Sequence, residues 1–267
     1  MSELEAVFLG LVQGFTEFLP VSSSGHLTIF KEILGIETSN LSFEVAVHAA
    51  TVMSTIVAFH KQIWKLILGF FNFKMNQEKT YIFMILLSMI PVFIVGVLLK
   101  DQVEAIFGSG LLVVGCMLLV TAALLSTSEI LTKKYSGEGK ELTYKSAFII
   151  GCAQAIAVLP GLSRSGSTIS TGLILGLKKE QVAQFSFLMV LIPILGETFL
   201  GIVGGDFSSS EAGIDFIPLM LGALSAFISG LIACKIMINL VKKAKLWGFA
   251  IYCAIAAIAC IISVIVA

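Results

Sequence analysis

Apolar residues fill this chain in long blocks, and polar residues collect between the blocks rather than along one face of each. Six blocks, at about 43–60, 80–99, 111–131, 183–203, 216–240 and 246–266, approach the ~20 residues that a helix needs to cross a bilayer. Four blocks are too short to cross. Residues 4–19 stop at Pro20, and a short piece at 27–36 resumes after three serines and a glycine. Residues 146–159 stop at Pro160, and 167–177 resume after a second serine-rich break. Irregular backbone at membrane depth survives only where protein or a water-filled cavity satisfies it, so each broken pair is predicted to be a re-entrant hairpin, at about 4–36 and 146–177. Pro91 inside the block 80–99 predicts a kink.

Composition agrees with the pattern. Of 267 residues, 57% are hydrophobic and 13% charged, against about 25% charged in a soluble domain. The predicted fold class is an all-α polytopic membrane protein forming a single membrane domain. The formal net charge is zero, and no basic run points to nucleic acid. The five cysteines all lie in apolar runs without metal-ligand spacing and are read as buried or lipid-facing. The N-terminal residues are acidic where a signal peptide needs a basic region, so none is expected.

Charge orients the spans. Lysines gather in the loops 61–79, 132–145, 178–180 and 242–245, which the positive-inside rule places in the cytoplasm. The loops 100–110 and 204–215 carry Asp101, Glu104, Asp206, Glu211 and Asp215 and fall outside. Both termini then lie outside, the first hairpin enters from the outside and the second from the cytoplasm. The two halves also match in sequence. Gln13 pairs with Gln154, Leu19-Pro20 with Leu159-Pro160, Ser22-Ser23-Ser24-Gly25 with Ser163-Arg164-Ser165-Gly166, and Phe93-Ile94 with Phe227-Ile228. Each half is a hairpin plus three spans, residues 1–131 and 146–267. An odd number of crossings inverts the second half, and such inverted-topology repeats place a site at their interface near the midplane.

The polar residues at the breaks carry the candidate chemistry. A short helix begins after each Leu-Pro break, and two opposed helix N-termini offer N–H groups and positive dipole ends to an anion. Ser22, Ser24, Ser163, Ser165 and Thr168 can cap helices or donate to anionic oxygens. Gly25, Gly161 and Gly166 permit close backbone approach. Arg164 supplies a cation whose fork matches phosphate oxygens. Glu17 would repel an anion unless it holds a divalent cation together with Gln13, acts as a general base, or pairs with Arg164. Ser23 beside an acid and a histidine is a candidate nucleophile, and His26 can move a proton near neutral pH.

Other polar residues read more plainly. Glu44 and His48, four residues apart, form a structural pair or line a vestibule. Glu197 pairs with Arg164 or lines the cavity. His60, Trp64 and nearby lysines are interfacial anchors. Small residues in the spans permit a homodimer.

The stretches Gly14-Phe15-Thr16-Glu17-Phe18-Leu19-Pro20-Val21-Ser22-Ser23-Ser24-Gly25-His26 and Pro160-Gly161-Leu162-Ser163-Arg164-Ser165-Gly166-Ser167-Thr168 resemble the two signature stretches of the bacitracin-resistance family of undecaprenyl-diphosphate phosphatases. The resemblance covers essentially the whole chain. It implies hydrolysis of undecaprenyl diphosphate to undecaprenyl phosphate and inorganic phosphate, which recycles the lipid carrier of cell-wall synthesis and confers bacitracin resistance. It implies a place in the bacterial cytoplasmic (inner) membrane with the site facing outward, and a divalent cation, Mg2+ or Ca2+, as cofactor. It marks Glu17, Ser23, His26 and Arg164 as catalytic, with Ser22, Ser24, Gly25, Ser163, Ser165, Gly166 and Thr168 around the substrate phosphate. It leaves open whether Ser23 or His26 is the nucleophile. In one place the chain departs from the pattern: Gln13 stands where the family usually has a glutamate, which removes one acid from the expected metal site. On physical grounds alone, a transporter or flippase for a polyprenyl phosphate or another anion would use the same architecture.

Overall fold

The computed structural model describes residues 1–36, 41–107, 110–134, 139–204, 214–243 and 246–266, and leaves out the side chains of Leu41, Lys100, Asp101, Glu104, Phe107, Lys134, Glu197 and 201–204. Among the described residues the regular structure is helical, apart from one isolated bridge between Lys140 and Leu177. Asp206, Glu211 and Lys245, and the side chains of Asp101, Glu104 and Glu197, lie outside the described residues.

The first hairpin is α1 (Glu3–Phe18) and α2 (Ser23–Leu34); the second is α8 (Tyr144–Ile156) and α9 (Arg164–Ile174). Both break where the sequence places them. A residue before proline is pushed out of the helical region, and Leu19, preceding Pro20, is extended at φ −71°, ψ 142°. The second arm of each hairpin is restarted by a serine cap. Ser22 Oγ accepts from the Gly25 N–H at 3.2 Å and Ser163 Oγ from the Gly166 N–H at 3.0 Å.

The spanning helices follow with two breaks. α3 (Leu41–Ala58) gives way at Phe59 to α4 (His60–Phe70), bent from it by 78°. The expected loop 61–79 therefore begins as a helix. It carries Lys61 and Lys65 while exposing Trp64, Ile67 and Leu68, the composition of a helix at a membrane surface. α5 (Gln77–Leu98) runs unbroken through Pro91, where a kink is expected. α6 (Lys100–Phe107) is a short helix in the expected loop 100–110, and α7 (Gly110–Lys134) follows. The expected span 183–203 is two helices, α10 (Lys179–Met189) and α11 (Leu191–Gly204). Pro193 explains the break: it lacks an N–H and its ring crowds the carbonyl four residues back, so it is tolerated only in a first turn. α12 (Phe216–Lys242) and α13 (Trp247–Val266) complete the chain. Among the described residues five helical segments are long and apolar enough to cross a membrane, α10 and the start of α11 together making one of them (Lys179–Leu200), or six if α3 and α4 count as one bent span. The chain is a multi-pass helical membrane protein.

The first arm of each hairpin packs on a span of the other half, α1 on α12 and α8 on α5. Both contacts are close because glycine meets small residues. A Cβ on Gly14 would stand 2.5 Å from the Ala226 carbonyl oxygen, and one on Gly151 would stand 2.3 Å from that of Ser88. Three of the four basic loops meet at one end of the bundle. Lys178 pairs with Glu141, whose carboxyl its ammonium and the Gln181 amide hold below the usual range. Lys242 reaches Glu180 at 3.2 Å, and Glu129 accepts from the Leu246 N–H at 3.1 Å. The N-terminal residues Met1–Glu3 share a cleft with Asp215–Pro218.

Candidate active site

The two hairpin tips touch. A Cβ on Gly25 would lie 3.1 Å from Gly161 Cα, and Ser165 Oγ donates to the Leu19 carbonyl at 3.2 Å. Ser23 and Arg164, paired in the repeat alignment, are each the first residue of the second arm. The tips are held differently. The second loop has one residue more between proline and cap, and that residue is Gly161 at φ 88°. Its missing Cβ would otherwise lie 2.6 Å from the Val114 carbonyl oxygen. The shorter first loop puts positive φ on Ser22 itself, at 72°. A non-glycine residue in that region costs about 1–3 kcal/mol and persists only where its surroundings enforce it.

At the junction stands Glu17, 5% exposed. Arg164 donates from the opposite hairpin to Glu17 Oε1. Ser23 Oγ donates to Oε2 at 2.6 Å, and the Gln13 amide donates to the same oxygen at 3.0 Å. His48 Nε2 of α3 stands 3.7 Å from Oε2. A short hydroxyl-to-carboxylate bond is strong, and it aims the serine proton at a base. The buried carboxylate is compensated by a guanidinium, the condition under which such a charge persists. A narrow cleft lies beside it. Glu17, Arg164, Ser165 and Ser186 line this cleft together with the apolar Phe18, Val52, Phe187, Val190 and Ile194.

Not every expected residue joins this network. His26 is 3% exposed, and its ring turns the other way. Nδ1 lies 2.8 Å from the Ser22 carbonyl and Nε2 lies 2.6 Å from the Tyr252 hydroxyl of α13. Since a carbonyl only accepts, Nδ1 carries the proton of the neutral ring and Nε2 accepts from Tyr252. Ser22 and Ser163 are caps, within 3.4 Å of Ser24 and 3.3 Å of Ser165 respectively. Thr168 is occupied by the Arg164 carbonyl at 2.9 Å and by Ser186 Oγ at 2.6 Å. The Glu44 carboxylate pairs with Lys31, whereas the His48 imidazole meets the Glu44 backbone carbonyl through Nδ1 and faces Glu17 through Nε2. The expected structural pair of Glu44 and His48 is thus replaced by two separate partnerships. His48 could have been suspected as an ionisable residue within a span; nothing in the sequence marks Tyr252 or Ser186.

These residues do not by themselves build a divalent-cation site. Gln13 Oε1, buried and without a hydrogen-bond partner, could ligate a cation. Glu17, its hydrogen-bonded carboxylate among the described residues, already serves Arg164, Ser23 and Gln13. Among the described residues no three of His, Cys, Asp or Glu gather in a geometry that could hold a metal.

Comparison with known proteins decides the lineage. The family model described as "Bacitracin resistance protein BacA" matches residues 6–259. The chain belongs to this family. Relatives of the BacA family named undecaprenyl-diphosphatase align along nearly their whole length. One from Bacteroides thetaiotaomicron is 57% identical, covering 98% of this chain and 99% of its own. One from Parabacteroides distasonis is 57% identical over 96% of each chain. One from Methanosphaera stadtmanae is 40% identical over 97% of each. BacA membership matches the resemblance carried by the two hairpin motifs.

Proposed function

We propose that the protein is an integral-membrane phosphatase that hydrolyses undecaprenyl diphosphate to undecaprenyl phosphate and inorganic phosphate. The observation that carries the reading is the Ser23 hydroxyl, 2.6 Å from a carboxylate that the other hairpin clamps through Arg164. It puts a nucleophile, its base and an anion-binding cation at two facing helix N-termini. The names and full-length identity of the relatives support the substrate.

In this reading the terminal phosphate binds between the N-termini of α2 and α9. Arg164, with five N–H donors, serves that phosphate as well as Glu17. Ser23 gives its proton to Glu17 and attacks the terminal phosphorus, and polyprenyl phosphate leaves. Ser23 is favoured over His26 as nucleophile because both ring nitrogens of His26 are engaged elsewhere. His26 then fixes the first tip against α13. Ser22, Ser24, Gly25, Ser163, Ser165 and Gly166 shape the phosphate cradle, and Thr168 holds α9 to α10. The apolar wall at Val52, Val190 and Ile194 leads the prenyl tail toward lipid between α3 and α11. A Mg2+ or Ca2+ ion would be held mainly by the oxygens of the diphosphate itself and would neutralise their charge. The exchange of partners between α1·α12 and α8·α5 supports two inverted halves, 1–131 and 146–267. The clustering of basic loops supports a cytoplasmic membrane placement with the first hairpin opening outward.

The test is inorganic phosphate release from a long-chain prenyl diphosphate by protein purified in detergent, where no gradient exists to drive transport. Wild type should turn over, and Glu17→Gln, Ser23→Ala and Arg164→Ala should lose nearly all activity. A silent wild type, or full turnover by Ser23→Ala, overturns the reading.

A further inference from the structure

We propose that His48 of α3 carries the proton of the Ser23–Glu17 pair between the buried carboxylate and water. The proposal rests on the phosphatase reading above and adds to it a residue from outside both hairpins.

Three observations place His48 in this role. Its Nδ1 is 2.8 Å from the Glu44 carbonyl oxygen, which can only accept, so the neutral ring keeps its proton there and turns a bare Nε2 inward. That Nε2 is 3.7 Å from Glu17 Oε2, the oxygen that accepts the Ser23 hydroxyl. The His48 side chain is 22% exposed against 5% for Glu17, so it is the wetter end of the line Ser23–Glu17–His48. Of the three histidines, His26 has both nitrogens engaged and His60 lies on α4, beyond the end of α3.

The surrounding charges leave this task to His48. From α1 it faces Glu17, which Arg164 of α9 clamps. On its own helix the Glu44 carboxylate is taken by Lys31 of α2. α12 has no ionisable residue between Phe216 and Ala233. α4 carries His60, Lys61 and Lys65 past the break, and α11 carries Glu197, whose side chain lies outside the described ones.

The chemistry balances. In the first step the Ser23 Oγ–P bond forms, the bridging P–O bond breaks and polyprenyl phosphate leaves. The Ser23 proton goes to Glu17 and on to His48 Nε2, restoring the carboxylate. In the second step water attacks the phosphoserine and gives a proton to Glu17. The P–Oγ bond breaks, and Ser23 takes that proton back from Glu17. His48 discharges the first proton to solvent. The sum is one diphosphate and one water converted to two phosphates and a released proton.

His48 acts through Glu17 and touches no substrate, so its loss should lower turnover and spare affinity. Phosphate release from a long-chain prenyl diphosphate would be measured for wild type, Ser23→Ala, His48→Ala and His48→Gln, with and without added imidazole. For both His48 variants kcat should fall by about 10²-fold, the low end for proton-transfer groups, with KM within about twofold of wild type. Imidazole should restore part of the His48→Ala rate, because the vacated space admits it, and none of the His48→Gln rate. Wild-type kcat in either variant, or loss without imidazole rescue and with a raised KM, overturns the proposal. If His48→Ala does not fold, His48→Gln of similar size decides alone: a 10²-fold drop in kcat at unchanged KM supports the relay, and wild-type kcat refutes it. An active wild type with dead Ser23→Ala and unaffected His48 variants overturns the relay only; a silent wild type overturns the phosphatase reading as well.

Discussion

Removing the guanidinium of Arg164 should damage the protein in two separable ways. Glu17 is 5% exposed and Arg164 25% exposed, so the pair is largely taken from water. Truncating one partner of a buried pair leaves an uncompensated charge and costs about 3–5 kcal/mol. Glu17 keeps hydrogen bonds from Ser23 and Gln13, and Arg164 is partly wet, which favours the lower end, about 3 kcal/mol. For a chain of this size that is a fall of roughly 6–12 °C in Tm. Phosphate release should fall below detection, because the anion loses the cation that stands at the hairpin junction.

The double variant Arg164→Ala/Glu17→Gln separates the two effects. An amide at position 17 needs no counter-charge, so most of the lost stability should return while activity stays absent. Arg164→Lys should keep most of the stability and lose most of the activity, since a point charge cannot serve carboxylate and phosphate with a planar fork. Thermal unfolding in detergent and phosphate release, on the same four preparations, make the comparison. If Arg164→Ala unfolds at the wild-type temperature, or the double variant is no more stable than the single, the ion pair does not hold the tips together. If Arg164→Ala still releases phosphate near the wild-type rate, the anion clamp is wrong.

Other substitutions probe the same junction. Gln13→Glu places a second carboxylate about where the amide now lies, 3.0 Å from Glu17; two acids so close share a proton or a cation, so turnover should become more sensitive to a chelator than in wild type, and equal sensitivity would refute the account of Gln13. Gly161→Ala forces an alanine to φ 88° with its Cβ 2.6 Å from the Val114 carbonyl oxygen, and should destabilise by about 1–3 kcal/mol or more, read as a lower Tm. Tyr252→Phe removes the hydroxyl that meets His26 Nε2 and leaves a buried acceptor unpaired at a cost of about 1–3 kcal/mol; an unchanged Tm would show that His26 does not depend on α13.

Much of this architecture was legible because its signals are local. Pro20 and Pro160 end helices by their own covalent geometry, and a run of ~20 apolar residues needs no partner to declare itself. The break at Pro193 carried the same signal inside a block read as continuous. The break at Phe59 carries none: no proline or glycine marks it, and the bend appears where an apolar span meets a helix that alternates lysines with exposed Trp64 and Ile67. Glu17, Ser23 and Arg164 stood out because charged and hydroxyl groups in an apolar stretch call for partners. The direction of His26 did not, since it depends on the rotation of α2 and on a tyrosine 226 residues away. The nearness of His48 likewise depends on how α3 packs beside α1, which no local pattern encodes.

The two tips show how a duplicated backbone comes to hold unlike chemistry. Each restarts its second helix with a capping serine, and each sets the next residue at the first helical position, facing the junction. In one copy that residue is Ser23, in the other Arg164. Two serines there would leave Glu17 without a counter-charge, and two arginines would leave the phosphate without an attacking group. The copies also differ by one residue between proline and cap. The longer loop places its positive φ on Gly161, which bears it freely, whereas the shorter loop imposes it on Ser22. The strain therefore falls next to Ser23, the residue whose hydroxyl must be aimed, and the relaxed loop sits beside the long side chain of Arg164, which reaches Glu17 by its own length. A site that needs one atom fixed and one charge within reach gains more from this unequal division than from two identical tips.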